Sequence, residues 1–316
     1  MNNRVSGWRV AAVVMATALT AAPAVAQYQM GDIFASIGSG QVAEYRADGT
    51  LVRTLNSGVS GYTTGSAFDG AGNFYVTNFS SNSVSLFNNS GVLQGTFGGG
   101  YSTPEAILFN RAGSAFVGNV GATGIRQFNA AGTLLQTFAA GRVDWMDLAA
   151  DQRTMYFTAE GTTIQRYDLV TQTILTPFAT GLGGDAFALR ILRNGGVLVA
   201  TDVGVLQMSS TGSIVRTYTA GSVGAFFALN LDPDGTSFWT GSVGNGSLYE
   251  FNIASGALER TINTGSGSFY GVSVFGEITQ GGPPPTTAPE PGTVALLGAG
   301  LLATGAAAAR RRRLTT

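Results

Sequence analysis

Cysteine, histidine and lysine are all absent from the 316 residues, so each of the 17 basic residues is an arginine. Every absence removes a class of chemistry. No disulfide framework can form, and zinc or iron sites built on sulfur and imidazole donors are excluded. Cysteine nucleophiles, Ser-His-Asp triads and lysine Schiff bases are excluded as well. Charge is scarce too. Charged residues make up 11% of the chain, against roughly 25% in ordinary globular domains. With a net charge of −1, no nucleic-acid partner is expected. What is plentiful is glycine, at 46 positions, in a chain long enough for one or two domains.

The two ends differ from the rest. Residues 1–26 begin with Arg4 and Arg9, continue through the apolar Val10–Thr20 and end on Ala24-Val25-Ala26. A basic start, an apolar stretch and a small-x-small site make a signal peptide, cleaved after Ala26. A buried first helix is the alternative, but the stretch has no polar face to make it amphipathic. At the other end, residues 279–291 form a linker rich in proline and glycine, a composition that does not pack into a sheet. Residues 292–316 follow, with an uncharged stretch of 17 residues, Thr293 to Ala309, and then Arg310 to Arg313. That is the short end of a membrane span, with its arginines on the cytoplasmic side.

Pro289-Glu290-Pro291, the apolar stretch and the arginine cluster together resemble the PEP-CTERM sorting signal of Gram-negative bacteria. An ordinary tail anchor is the alternative. The resemblance implies export across the inner membrane, transient anchoring there through the tail, and cleavage near Pro289–Pro291 by an exosortase-type protease. The protein would then reside at the cell surface or outside the cell, in the company of exopolysaccharide. Loss of both ends leaves eleven arginines against seventeen acids, a net charge near −6 that suits a soluble exterior protein.

Between the ends the text repeats. A turn residue followed two positions later by an apolar triplet occurs at Gly31, Gly72, Gly113, Arg153, Gly195 and Gly235, at spacings of 41, 41, 40, 42 and 40. A second turn falls about eighteen residues into each repeat, as in Asp48-Gly49, Ser90-Gly91 and Ala131-Gly132. Glycine, Asn and Asp there supply the left-handed backbone of tight hairpins. Each repeat thus holds four short strands, A to D, and four strands per forty-odd residues is the period of a propeller blade. The first repeat lacks its strand A, while an extra one, Gly271-Val272-Ser273-Val274, stands at the far end. The expectation is therefore an all-β, six-bladed β-propeller over residues 27–278, its ring closed by the C-terminal strand so that no edge is left open. The stretch Phe68-Asp69-Gly70-Ala71-Gly72-Asn73-Phe74-Tyr75-Val76-Thr77-Asn78 resembles blades of the NHL and SMP-30-like propellers. Asn78 and Asn119 stand where NHL blades usually carry an acid.

Candidate site residues follow from columns counted back from each turn residue. Strand A runs from the top face down the channel and strand B returns, so the top holds residues before A and after B. Eight positions back lie Thr64, Glu105, Trp145, Phe187 and Phe227, with Tyr270 aligned to them. The aromatic members can form a ligand platform with Glu105 beside it, or can plug the channel and pack between blades. Six positions back, Asp147 stands among Ser66, Ile107, Leu189, Leu229 and Val272. A buried carboxylate needs a partner. Arg190 is the candidate for an ion pair, and an acid/base or metal-ligating role is the other reading. Past strand B come Asn78, Asn119, Glu160 and Asp202. With Glu105, Asp144 and Asp147 they offer oxygen donors for Ca²⁺ or another divalent cation, or are solvated loop residues. Two functions are compatible with these residues. One is a non-catalytic binding module, without cofactor, that presents Glu105, Trp145, Phe187, Phe227 and Tyr270 to polysaccharide or a surface protein. The other, implied by the SMP-30-like resemblance, is a metal-dependent lactonase or hydrolase with Glu105, Asp147 and Asp202 as its acids.

Overall fold

Each hairpin turn forces the strand that follows to run back beside the one before it, and six groups of four strands result. The computed structural model describes residues 27–283 except 122, 123, 222, 224 and 268. The expected signal peptide at 1–26, linker residues 284–291 and the tail at 292–316 lie outside the described residues. Six four-stranded antiparallel sheets are present, each in sequential order except one. That one is the first blade. Its innermost strand is Gly271–Val274, followed outward by Ile33–Gly38, Gln41–Tyr45 and Leu51–Asn56. Ile33 pairs with Val274 and Ser36 with Gly271, so the ring closes through backbone hydrogen bonds between the two ends of the described chain. The only helix among the described residues is the short 3₁₀ turn Phe79–Ser81.

The innermost strands are Gly271–Val274, Thr63–Phe68, Pro104–Phe109, Trp145–Leu148, Ala186–Ile191 and Phe226–Leu231. They are nearly all buried, whereas the outermost strands alternate exposed and partly buried residues. Neighbouring innermost strands approach closely at Gly65 and Gly271, where a Cβ would lie 2.3 Å from the Glu105 carbonyl oxygen and 1.9 Å from that of Thr64. Only glycine fits there. Aromatic residues fill the wedges between blades. Tyr28, Phe34, Phe68, Phe74 and Phe275 make edge-on and tilted contacts where the chain's two ends meet.

After Val274 the chain crosses the bottom of the ring. Glu277 pairs with Arg190, Gln152 Nε2 donates to the Gly281 carbonyl at 2.9 Å, and Pro283 sits beside Gly70. This strap and the lower ends of the innermost strands enclose a cavity of about 70 Å³ whose walls include Met146, Asp147, Arg190 and Ser273.

The fourth blade corrects the sequence columns by one residue. Its left-handed turn residue is Gln152, with φ 59°, rather than Arg153. Gln152 N donates to the Ala149 carbonyl as Gly113 N donates to Asn110 and Gly72 N to Asp69. The turn then runs one residue longer before strand B begins. Counted from Gln152, the residue equivalent to Glu105, Phe187 and Phe227 is Asp144, and Trp145 moves to the column of Ala106 and Ala188. Asp147 moves down to the level of Arg190.

Candidate functional site

With that shift, the top mouth of the channel is formed by Thr64, Glu105, Asp144, Phe187, Phe227 and Tyr270, one from each blade. In four of the blades an irregularity of the strand A to strand B pairing coincides with this position. A bulge of this kind re-aims a side chain. The mouth is divided into two halves, one polar and one aromatic.

The polar half is organised by Arg142, which the sequence columns missed. Arg142 Nε lies 2.9 and 3.0 Å from the two Asp144 oxygens, and a second guanidinium nitrogen bridges to Glu160. The Glu105 carboxyl, on the neighbouring blade, lies close enough to Asp144 for the two groups to influence each other's titration. Glu105 and Asp144 are both buried, while Arg142 and Glu160 are exposed at the rim. Burial pushes the Glu105 carboxyl well above the usual carboxylate range, and the charges of Asp144 and Glu160 push it further. Burial raises Asp144 as well, against the pull of Arg142. Glu105, more deeply buried and with no cation of its own, is the carboxyl of the two that keeps its proton to higher pH. In a chain so poor in charge, Arg142 two residues before Asp144 is the signal that would have found this cluster.

The linked titration has a testable sign. The folded state binds a proton at Glu105 that the unfolded chain releases in the ordinary carboxylate range, so stability declines as pH rises through the raised value. Glu105→Gln keeps a donor toward Asp144 and removes the titration. The variant is expected to melt at higher temperature than the parent at neutral and alkaline pH, with the two curves converging toward pH 4. A gain of about 1 kcal/mol would appear as about 2–4 °C. Equal melting at every pH would place Glu105 in water.

The aromatic half consists of three half-buried rings and one exposed one. Phe187 and Phe227 have centroids 5.2 Å apart, Phe227 and Tyr270 6.4 Å, and Tyr270 and Tyr62 4.4 Å. Tyr62, which extends the arc outward, was not among the sequence candidates. Trp145 was, and the structure removes it from the arc. It is buried among Ala188, Ala228 and other core residues, with the Arg190 guanidinium 5.8 Å from its ring.

The remaining candidates are placed apart. Asp147 lies three residues further down strand A than Asp144, at the bottom cavity. Its Oδ1 accepts the Leu148 amide at 2.9 Å and its Oδ2 the Ile191 amide at 2.8 Å. Burial raises its pKa to about 6, with Arg190 pulling the other way. The expected Asp147–Arg190 ion pair is corrected, because the Arg190 guanidinium bonds Glu277 at 2.7 Å. Asp202 Oδ1 accepts the Asp185 amide on the top loops of the fifth blade. Asn78 bonds Ser83 and Ser85, and Asn119 bonds Ser102, Val117 and Gly124. Of the proposed acids Glu105, Asp147 and Asp202, no two come together. Among the described residues no group of three or more acidic side chains is placed to hold a metal. Of the oxygen-donor set, only Glu105, Asp144 and Glu160 gather, and they gather around Arg142.

Residues 287–313 match the PEP-CTERM protein-sorting motif. The match contains Pro289, Glu290 and Pro291, the uncharged stretch and the four arginines. No curated protein matches the chain. Solved structures do. One chain, from the crystal structure of a nidogen/laminin complex, superimposes with a TM-score of 0.63 over 77% of this chain and 97% of its own length, at 14% identity. Identity that low carries the propeller fold and nothing finer. The motif indicates an exported protein of a Gram-negative bacterium that is recognised by an exosortase during sorting.

Proposed function

We propose that this exported, exosortase-sorted propeller is a non-catalytic binding module that takes saccharide chains at its top face. The observation that carries the reading is the arc of Tyr62, Tyr270, Phe227 and Phe187, four rings in sequential contact at one side of the channel mouth. Flat rings offer large contact area to the apolar faces of sugars at little conformational cost. Across the mouth, Asp144 and Glu160 supply carboxylate acceptors for hydroxyl groups, fixed in place by Arg142. That side carries more acid than base, which favours neutral or amino sugars over uronates. The company of exopolysaccharide implied by the sorting signal supports the same ligand class.

The test is binding of the secreted protein to neutral, aminated and uronate-containing exopolysaccharides, measured by calorimetry. Phe227→Ala, at the centre of the arc, is expected to weaken binding at least about tenfold, a loss of about 1.4 kcal/mol. Trp145→Phe, in the core, should leave affinity unchanged. Binding that is indifferent to Phe227, or directed only to a protein partner, would overturn the saccharide reading.

A further inference from the structure

Strand D, the outermost of every blade, starts at the bottom of the ring, directly after the hairpin turn from strand C. At its start stand Leu51, Leu93, Leu134, Ile174, Ile214 and Leu258, one per blade. All six pair with the last large side chain of strand C, from Tyr45 and Phe87 to Met208 and Phe251. All six are exposed, by 39% at Leu93 to 55% at Leu51. Three residues further up the same strands, the exposed positions in five blades are Thr54, Thr96, Thr137, Thr217 and Thr261. Threonine and isoleucine share a preference for strands, so strand propensity does not explain why aliphatic residues keep to the lower rim and threonine to the upper half. Among the described residues, every other exposed large apolar side chain except Tyr62 and Val203 also lies at the bottom, as Met30, Val170 and Val215 do.

The chain itself points to what covers this rim. The described part ends at Pro283, beside Gly70 at the bottom. The uncharged stretch begins at Thr293, after nine intervening residues. Nine residues span at most about 30 Å, so while that stretch is in a bilayer the bottom face is held close above it. We propose that the rim of six aliphatic side chains is a lipid-contacting surface, which rests the propeller on the bilayer with its top face outward before the tail is cut. The proposal rests on the reading of the tail as membrane-held. The bottom turns expose Asp48, Asp151 and Asp234 together with Arg111, Arg153 and Arg193, so charge there is balanced, and contact is apolar in origin and is not strengthened by anionic lipid.

The full chain, inserted into phosphatidylcholine vesicles through its tail, provides the test. The protein has no cysteine, so single cysteines at Leu134 and Ile214 on the rim, and at Thr137 and Val203 above it, can carry an environment-sensitive fluorophore. Nitroxide-labelled lipid is expected to quench the two rim labels severalfold more than the Thr137 and Val203 labels. Replacing part of the lipid by phosphatidylglycerol should not increase the difference. Equal quenching at all four positions would overturn the proposal. So would rim labels shielded from lipid in a particle of doubled mass, which would make a second copy the occupant. Failure of the chain to float with vesicles at all would instead overturn the reading of the tail, and is recognised before any label is measured.

Discussion

A chain ending at Tyr270 is expected to lose cooperative unfolding and to aggregate, whereas one ending at Pro283 should melt like the full body. The segment removed in the first case, Gly271–Val274 with the strap behind it, is the innermost strand of the first blade. Val272, Val274 and Phe275 are all buried, and each contributes about 1.5–3 kcal/mol by burial. That sum is comparable with the whole stability of a domain, about 5–15 kcal/mol. Its loss also exposes the unpaired edge of Ile33–Gly38, a template for pairing with another chain. Thermal unfolding followed by circular dichroism, with light scattering, reads both effects. Equal cooperativity in the two truncations would refute closure by this strand.

Glu277→Ala is expected to destabilise the protein by about 3–5 kcal/mol, the usual cost of leaving a buried charge without its partner. The Arg190 side chain is 7% exposed and its guanidinium bonds both Glu277 oxygens, at 2.7 and 3.3 Å. Glu277 also accepts the Leu231 amide at 2.8 Å, so the strap joins the fifth and sixth blades through one carboxylate. Arg190→Met combined with Glu277→Gln should restore most of the loss below about pH 6, since the amide oxygen still receives Leu231 N–H and the buried Asp147, left without the arginine, takes up a proton. Denaturant midpoints at constant slope measure both changes. A single variant that unfolds like the parent would mean that the strap is not seated on the ring. Asp147, held near pKa 6 by burial, adds a pH dependence. Its proton is favoured in the folded state, so its contribution is full below the ordinary aspartate range and declines as pH rises through about 6.

The fold was legible because its signals are local. A left-handed glycine in each hairpin and a short apolar strand beside it are carried by neighbouring residues, and their recurrence counted the blades. Where that signal weakened, the reading slipped. In the fourth blade Gln152 adopts the left-handed turn, a conformation that a non-glycine residue does not announce. Anchoring on Arg153 shifted one column by a residue, which in a strand exchanges one face for the other. Trp145 was therefore assigned to the mouth and Asp144 was not, although the structure reverses them. Phe187 and Phe227 are followed by turns that carry Gly195 and Gly235, so no such slip arises in their blades, and their rings stand beside Tyr270.

From the sequence alone came the six blades, the closing strand and the sorting tail. These depend on turn chemistry, periodicity and strand order, all of which are written along the chain. Tertiary structure alone decided which charges meet. Arg190 could choose between Asp147 in the adjacent blade and Glu277, 87 residues away, and the strap's path across the ring settled it. Glu105 and Asp144 face one another only because two neighbouring blades bring equivalent positions to one mouth. Pairings of this kind are set by distances of a few ångströms between segments remote in sequence, and no local pattern encodes them.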